Sequence, residues 1–145
     1  MASGIYNVYK TGVMAGSFAC VGASTKPIFV ALLNNSYTFN TDHKYLGEFL
    51  GTYQISGTAY VAGGHALSSP TVTQDDTDDE GVLDAADWQL GSSTITARFA
   101  ILYSSYGGGS GSDPLICAID FGSDQASSNG NFTITWAAEG IVNLT

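Results

Sequence analysis

Charge is what this 145-residue chain has least of: four bases and thirteen acids make up only 12% of it, against the roughly 25% of an average soluble protein. Bases are the scarcest (Lys10, Lys26, Lys44 and Arg98), and a net charge of -9 argues against binding to nucleic acid through its phosphates. There are only two cysteines and three prolines. No uninterrupted apolar run approaches the ~18–20 residues of a membrane-spanning helix, so no such helix is expected. What is present excludes disorder as well: aromatics reach 12% and apolar residues 44%, where a disordered tail is poor in aromatics and rich in charge. At 15.1 kDa the chain is expected to form a single domain, residues 1–145, able to bury about 70% of its unfolded surface.

The few charges are unevenly placed. Seven of the thirteen acids fall between Asp75 and Asp87, so the other 132 residues hold six acids and the four bases. Solubility there falls to 16 serines and 14 threonines. Interspersed charge is the usual device of a free monomer. Its absence fits either a hydroxyl-rich secreted protein or a subunit packed against neighbours.

Targeting signals are weak. The stretch from Gly12 to Ala23 imitates the apolar part of a signal peptide but is glycine-rich and lacks leucine. Ser17 occupies the position where a lipoprotein box ahead of Cys20 needs an aliphatic residue. Cys20 and Cys117 are more readily small buried hydrophobes than a bridge, and the sequence does not fix their pairing. Asn34, Asn131 and Asn143 begin glycosylation-like triplets, chance matches without a secretion signal.

Periodicity points to an all-β fold. Apolar residues over 5–18 have helical spacing, predicting a short N-terminal helix or an arm on the sheet, weakened by Gly12 and Gly16. Lys26–Leu33 reads as a buried strand, and Asp42–Phe49 has room for one helical turn. Strand signals then recur at Thr58–Val61, at Ala66–Leu67 leading into Thr71–Thr73, at Val82–Leu83 and at Trp88–Leu90. The strongest is Thr94–Tyr103, whose odd positions, Ile95 to Tyr103, predict one wholly apolar face. Gly107–Ser112 reads as a flexible loop, not needed by the core, that joins this strand to Pro114–Phe121 in a long hairpin. Ser127–Gly130 predicts a turn before Asn131–Trp136, and Ile141–Leu144 closes the chain. Seven to nine strands suit a single antiparallel β-sandwich or jelly-roll-like domain.

Chemical motifs are few. Asp76, Asp78, Glu80, Gly81, Asp84 and Asp87 match the spacing of a calcium-binding EF-hand loop. The flanks read as strand and turn where that site needs helices, so a solvated acidic turn is the stronger expectation for Asp76–Asp87. His43 and His65 sit in separate polar turns. No serine occupies a nucleophile elbow, and Gly107–Ser112 lacks the lysine and helix of a phosphate loop. No enzyme activity, catalytic residue, metal ligand or cofactor is expected. Arg98, inside the best strand, requires a carboxylate if buried, and Asp120 is the candidate partner; a snorkelling surface arginine is the alternative. Most of the eight tyrosines suit a half-buried sheet, some a subunit contact, and stacking on sugars is the weakest reading.

Six segments carry a family likeness: Met1–Asn7, Val30–Tyr37, Ile55–Gly64, Thr94–Arg98, Ala118–Gly122 and Ser127–Trp136. Together, over nearly the whole chain, they resemble small virion structural proteins of tailed bacteriophages. The resemblance implies a capsid decoration (cement) protein on the outside of the head. Its implied partners are the major capsid protein and itself, as a homotrimer, with neither nucleic acid nor membrane. Assembly would take place in the host cytoplasm. A tail, neck or baseplate component is the alternative, and a glycan-binding host-recognition module a more distant one.

Overall fold

The computed structural model describes residues 3–18 and 26–145. Cys20 and the part of the signal-like stretch from residue 19 to 23 lie outside the described residues. In chain order the elements are β1 (Gly4–Ile5), α1 (Asn7–Met14), β2 (Ile28–Leu33), a 3-10 turn (Leu46–Glu48), α2 (Leu50–Tyr53) and β3 (His65–Ala66). Then come β4 (Thr71–Asp75), β5 (Glu80–Asp84), β6 (Trp88–Ser104), a second 3-10 turn (Ser110–Ser112), β7 (Leu115–Ile134) and β8 (Val142–Leu144). Strands dominate, and they form two antiparallel sheets in a sandwich-like, all-β fold: a five-stranded one ordered β1-β7-β6-β2-β3 and a three-stranded one ordered β4-β5-β8.

The apolar run of β2 is continuous because the large sheet is covered on both faces. Ile28, Val30 and Leu32 enter one core with Ala100, Leu102 and Leu67, while Ala31 and Leu33 enter the other with Phe99, Ile101 and Leu115. The first core continues under the small sheet, where Leu83 and Val142 meet Trp88, Leu90, Phe132 and Trp136. The second is closed by Tyr6, Tyr37, Leu46, Phe49 and Leu50, so the two helical turns after residue 45 lie over the sheet.

The hairpin of β6 and β7 organises both halves, and it corrects the expected alternation. Residues of β6 in the first core are Trp88, Leu90, Ile95, Ala97, Ala100 and Leu102, whereas Phe99, Ile101 and Tyr103 belong to the second. The odd positions 95–103 therefore do not share one face. The parity changes between Leu90 and Ser93 and again between Ala97 and Phe99, where the register of the pair shifts, because each irregularity turns the following side chains to the opposite side. Trp88–Leu90 and Thr94–Tyr103 are parts of one strand for the same reason. Ser127–Gly130, expected to turn, stays inside β7 as a bulge: Ser93 faces Gly130 and Ile95 faces Ser127, with Asn129 at a φ of 47°. Thr58–Val61, expected as a strand, makes only an isolated bridge from Thr58 to Thr94. Tyr60 has another task there, its hydroxyl accepting from the Leu32 amide at 3.0 Å.

The N-terminal segment is no detachable arm. Tyr6 is fully buried and its hydroxyl lies 2.7 Å from that of Tyr37. Tyr6, Tyr9 and Gly12 form the buried stripe of α1 at threefold spacing, with Tyr6 as its cap. The helix stops in a Schellman arrangement: Gly16 at a φ of 69° donates to the Val13 carbonyl, and Ser17 to that of Gly12.

Burial pushes the Tyr60 hydroxyl up to about 12 and raises those of Tyr6, Tyr37 and Tyr103 as well. These groups stay protonated in the fold while the unfolded chain ionises above 10, so stability is complete below pH 10 and drains as pH rises. Tyr60 alone accounts for about 2 kcal/mol lost between pH 10 and pH 12. Chemical denaturation at pH 8 and across that window checks this; Tyr60→Phe should shallow the decline.

Candidate functional site

The acidic segment is a hairpin. β4 and β5 pair from Thr71–Asp84 to Asp75–Glu80, with residues 76–79 as the turn. The Asp75 carboxylate accepts from the Thr77 amide at 2.8 Å and from the Asp78 amide at 3.3 Å, while Asp76, Asp78 and Asp79 point to solvent. Strands, not helices, flank the loop, and among the described residues no group of three or more acids, histidines or cysteines converges on one point. That is the geometry of a solvated acidic turn.

The histidines are kept apart. His43 packs on Phe49 and Tyr37, at ring distances of 5.1 and 6.3 Å, beside the second core. His65 packs on Trp88 and Tyr60, at 5.7 and 6.1 Å, beside the first. They lie against opposite faces of the large sheet and share no site.

Arg98 and Asp120 do meet. The guanidinium reaches across the hairpin to the carboxylate, Nε to Oδ1 at 2.5 Å and Nη2 to Oδ2 at 3.3 Å. This pair sits at the register shift between Ala97 and Phe99, where the backbone turns Arg98 to the surface. Asp120 also accepts from the Gly122 amide, and its own amide donates to Ser3 Oγ. The arginine hydrogen bond holds the Asp120 carboxyl below the usual carboxylate range. With both groups engaged in this fork, the pair fixes the two strands where their ladder is broken.

One surface feature was not legible in any one motif. A cleft of about 570 Å³ runs between α1 and the loop ahead of β7, lined by Val8, Gly12 and Phe18 on one side and by Tyr45, Tyr106 and Pro114 on the other. Gly12 gives Phe18 room to fold back over the helix, its ring edge-on to Tyr9 at 5.0 Å. On the opposite wall the buried Asp113 carboxylate accepts from the Tyr106 amide at 2.7 Å, while its carbonyl accepts from Leu46. The glycine-rich tip at 107–109 is exposed, but the end of the loop at Asp113 and Pro114 is part of the buried structure. Lys26 lies over the Tyr106 ring at 5.7 Å.

Large apolar side chains are exposed in the cleft wall, elsewhere on α1, and at Val61 (57%) and Val72 (50%). Met14 is 89% exposed, Tyr45 and Tyr106 41%, and Val13 37%. Among the described residues no histidine, cysteine or carboxylate lines the cleft. A wall of aromatic and aliphatic groups with little charge can bind by burying area, as the centre of a protein contact does. The chain has no match among protein-family models, curated proteins or solved structures.

Proposed function

We propose that this chain is a structural subunit of a tailed-phage virion, a decoration protein that binds outside the head and bridges major capsid subunits. One observation supports the proposal beyond the resemblance: the uncharged wall of the α1 cleft, with Val8, Phe18, Tyr45 and Tyr106, together with the exposed Met14 on the same helix, in a chain with seven of its thirteen acids between Asp75 and Asp87. Such a surface suits cover by another protein. The work done is mechanical. Contacts repeated by symmetry over a shell add up, so each can be weak while their sum opposes rupture. A homotrimer would suit the three-fold positions between capsomers.

Labelling the protein on particles tests this reading. Uniform decoration of the shell supports it; signal confined to one vertex transfers the chain to the tail, neck or baseplate. Failure to bind heads or tails, with a monomer persisting at high concentration, removes the virion role altogether. Met14→Glu leaves the core untouched and should weaken occupancy about tenfold, the scale of one interface anchor.

A further inference from the structure

We propose that Asn129 is a self-modification site, losing its side-chain amide in the folded chain to give aspartate and isoaspartate. The inference is independent of the virion reading. Of the seven asparagines, Asn129 alone precedes a glycine, and glycine leaves the following backbone nitrogen open to approach.

The neighbouring contacts single out the same residue. The side chains of Asn7, Asn35 and Asn143 donate to Asp42, Asp124 and Glu80. Those of Asn34 and Asn40 accept from the amides of Ser36 and Asp42. Asn129 is exposed, and among the described residues no hydrogen bond holds its side-chain amide. Asn131 lacks such a bond too, but precedes the bulky, buried Phe132. Asn129 also occupies the bulge of β7, at a φ of 47°, where three steps of β7 oppose two of β6. Its backbone amide donates to Thr94 Oγ1 at 3.0 Å, which ties the bulge to β6, while the residue itself is exposed.

The reaction needs only water. The Gly130 nitrogen gives its proton to solvent hydroxide and its electron pair forms a bond to Asn129 Cγ. The Cγ–Nδ2 bond breaks, and that nitrogen takes a proton from water and leaves as ammonia, regenerating the hydroxide and closing a five-membered succinimide. Water then opens the ring. Cleavage between Cγ and the Gly130 nitrogen gives aspartate; cleavage at the main-chain carbonyl gives isoaspartate. One water is consumed and one ammonia released, with one negative charge gained. The isoaspartyl product lengthens the backbone by one methylene beside the rung where Ser93 Oγ donates to the Gly130 carbonyl at 3.0 Å and meets Ser127 Oγ at 2.7 Å.

The test is to age the full chain in mildly alkaline buffer at body temperature. Isoelectric focusing, peptide mass spectrometry and labelling by an isoaspartyl-specific methyltransferase follow the product. An acidic variant should accumulate, with the change confined to position 129. Gly130→Ala should slow it about tenfold by raising the barrier sterically, and a Cβ there meets only the Ser128 carbonyl, at an ordinary 3.6 Å. Circular dichroism confirms that this variant folds. The proposal is overturned if the native chain keeps its charge while the urea-unfolded chain converts. Conversion spread over other asparagines, or undiminished in folded Gly130→Ala, overturns it equally.

Discussion

Replacing Tyr6 with alanine should remove most of the stability of this domain. The ring is fully buried within the second core, and truncating a buried aromatic costs about 3–5 kcal/mol. Its loss also removes the hydrogen bond to the Tyr37 hydroxyl, now 2.7 Å away, for about 1 kcal/mol more. Domains of this kind have only about 5–15 kcal/mol to lose. Tyr6→Phe keeps the ring and should show only the smaller, hydrogen-bond cost. Urea unfolding separates the two: the midpoint should fall far for alanine and modestly for phenylalanine. A near-native midpoint for Tyr6→Ala would mean that the N-terminal segment is not part of the core. For the same reason, deleting Ile5–Tyr9 is expected to cost folding, and lost particle binding by that deletion would say nothing of an interface.

Gly64→Ala should be as damaging through the backbone. Gly64 has a φ of 84°, and a Cβ placed on it would lie 1.8 Å from the Val30 carbonyl oxygen and 2.8 Å from Ala31 Cα. Neither atom can yield without moving β2, the strand buried on both faces. Left-handed backbone alone costs an ordinary residue roughly 1–2 kcal/mol, and displacement of a core strand should bring the loss above about 4 kcal/mol. Gly51→Ala provides the contrast. It lies in α2, a Cβ there meets nothing within 4 Å, and alanine should gain up to about 1 kcal/mol in a helix. Thermal unfolding of the pair checks both signs, and a Gly64→Ala protein melting with the wild type would refute the account of that turn.

Much of the architecture was readable from side-chain pattern alone, and the failures have local causes. β2 was legible because six apolar residues in succession have few other uses in a chain this short. The ion pair of Arg98 and Asp120 was legible only in part: neighbouring strands placed a carboxylate within reach of the arginine, but the burial that would have demanded it is not there, since Arg98 is turned to the surface. Period-two counting failed on β6, since its irregularities insert steps that alternation does not anticipate. Ser127–Gly130 has turn-forming composition, yet its left-handed residue serves a bulge instead of a reversal. Thr58–Val61 has strand-like composition, but Tyr60 spends its hydroxyl on the β2 backbone and Gln54. The α1 cleft stayed hidden because its walls come from residues 8–18, 45 and 106–114, which only the closed fold brings together. Helical spacing over 5–18 showed a helix; nothing in it showed that Tyr6 would reach Tyr37.

The outer margin of β7 bears on how copies of this molecule can meet. β1 covers it only at Cys117 and Ala118. From Gly122 to Asn131 it carries glycine, serine, asparagine, glutamine, one aspartate and no side chain larger in apolar character than Ala126. Two interruptions bend it, at Gly122 and at Asn129. A margin so polar and so uneven is a poor template for another strand, and resists the ribbon-on-ribbon growth that leads to fibres. Association along this margin should therefore proceed through side chains, leaving this edge of the large sheet closed to a neighbouring strand even at high local concentration.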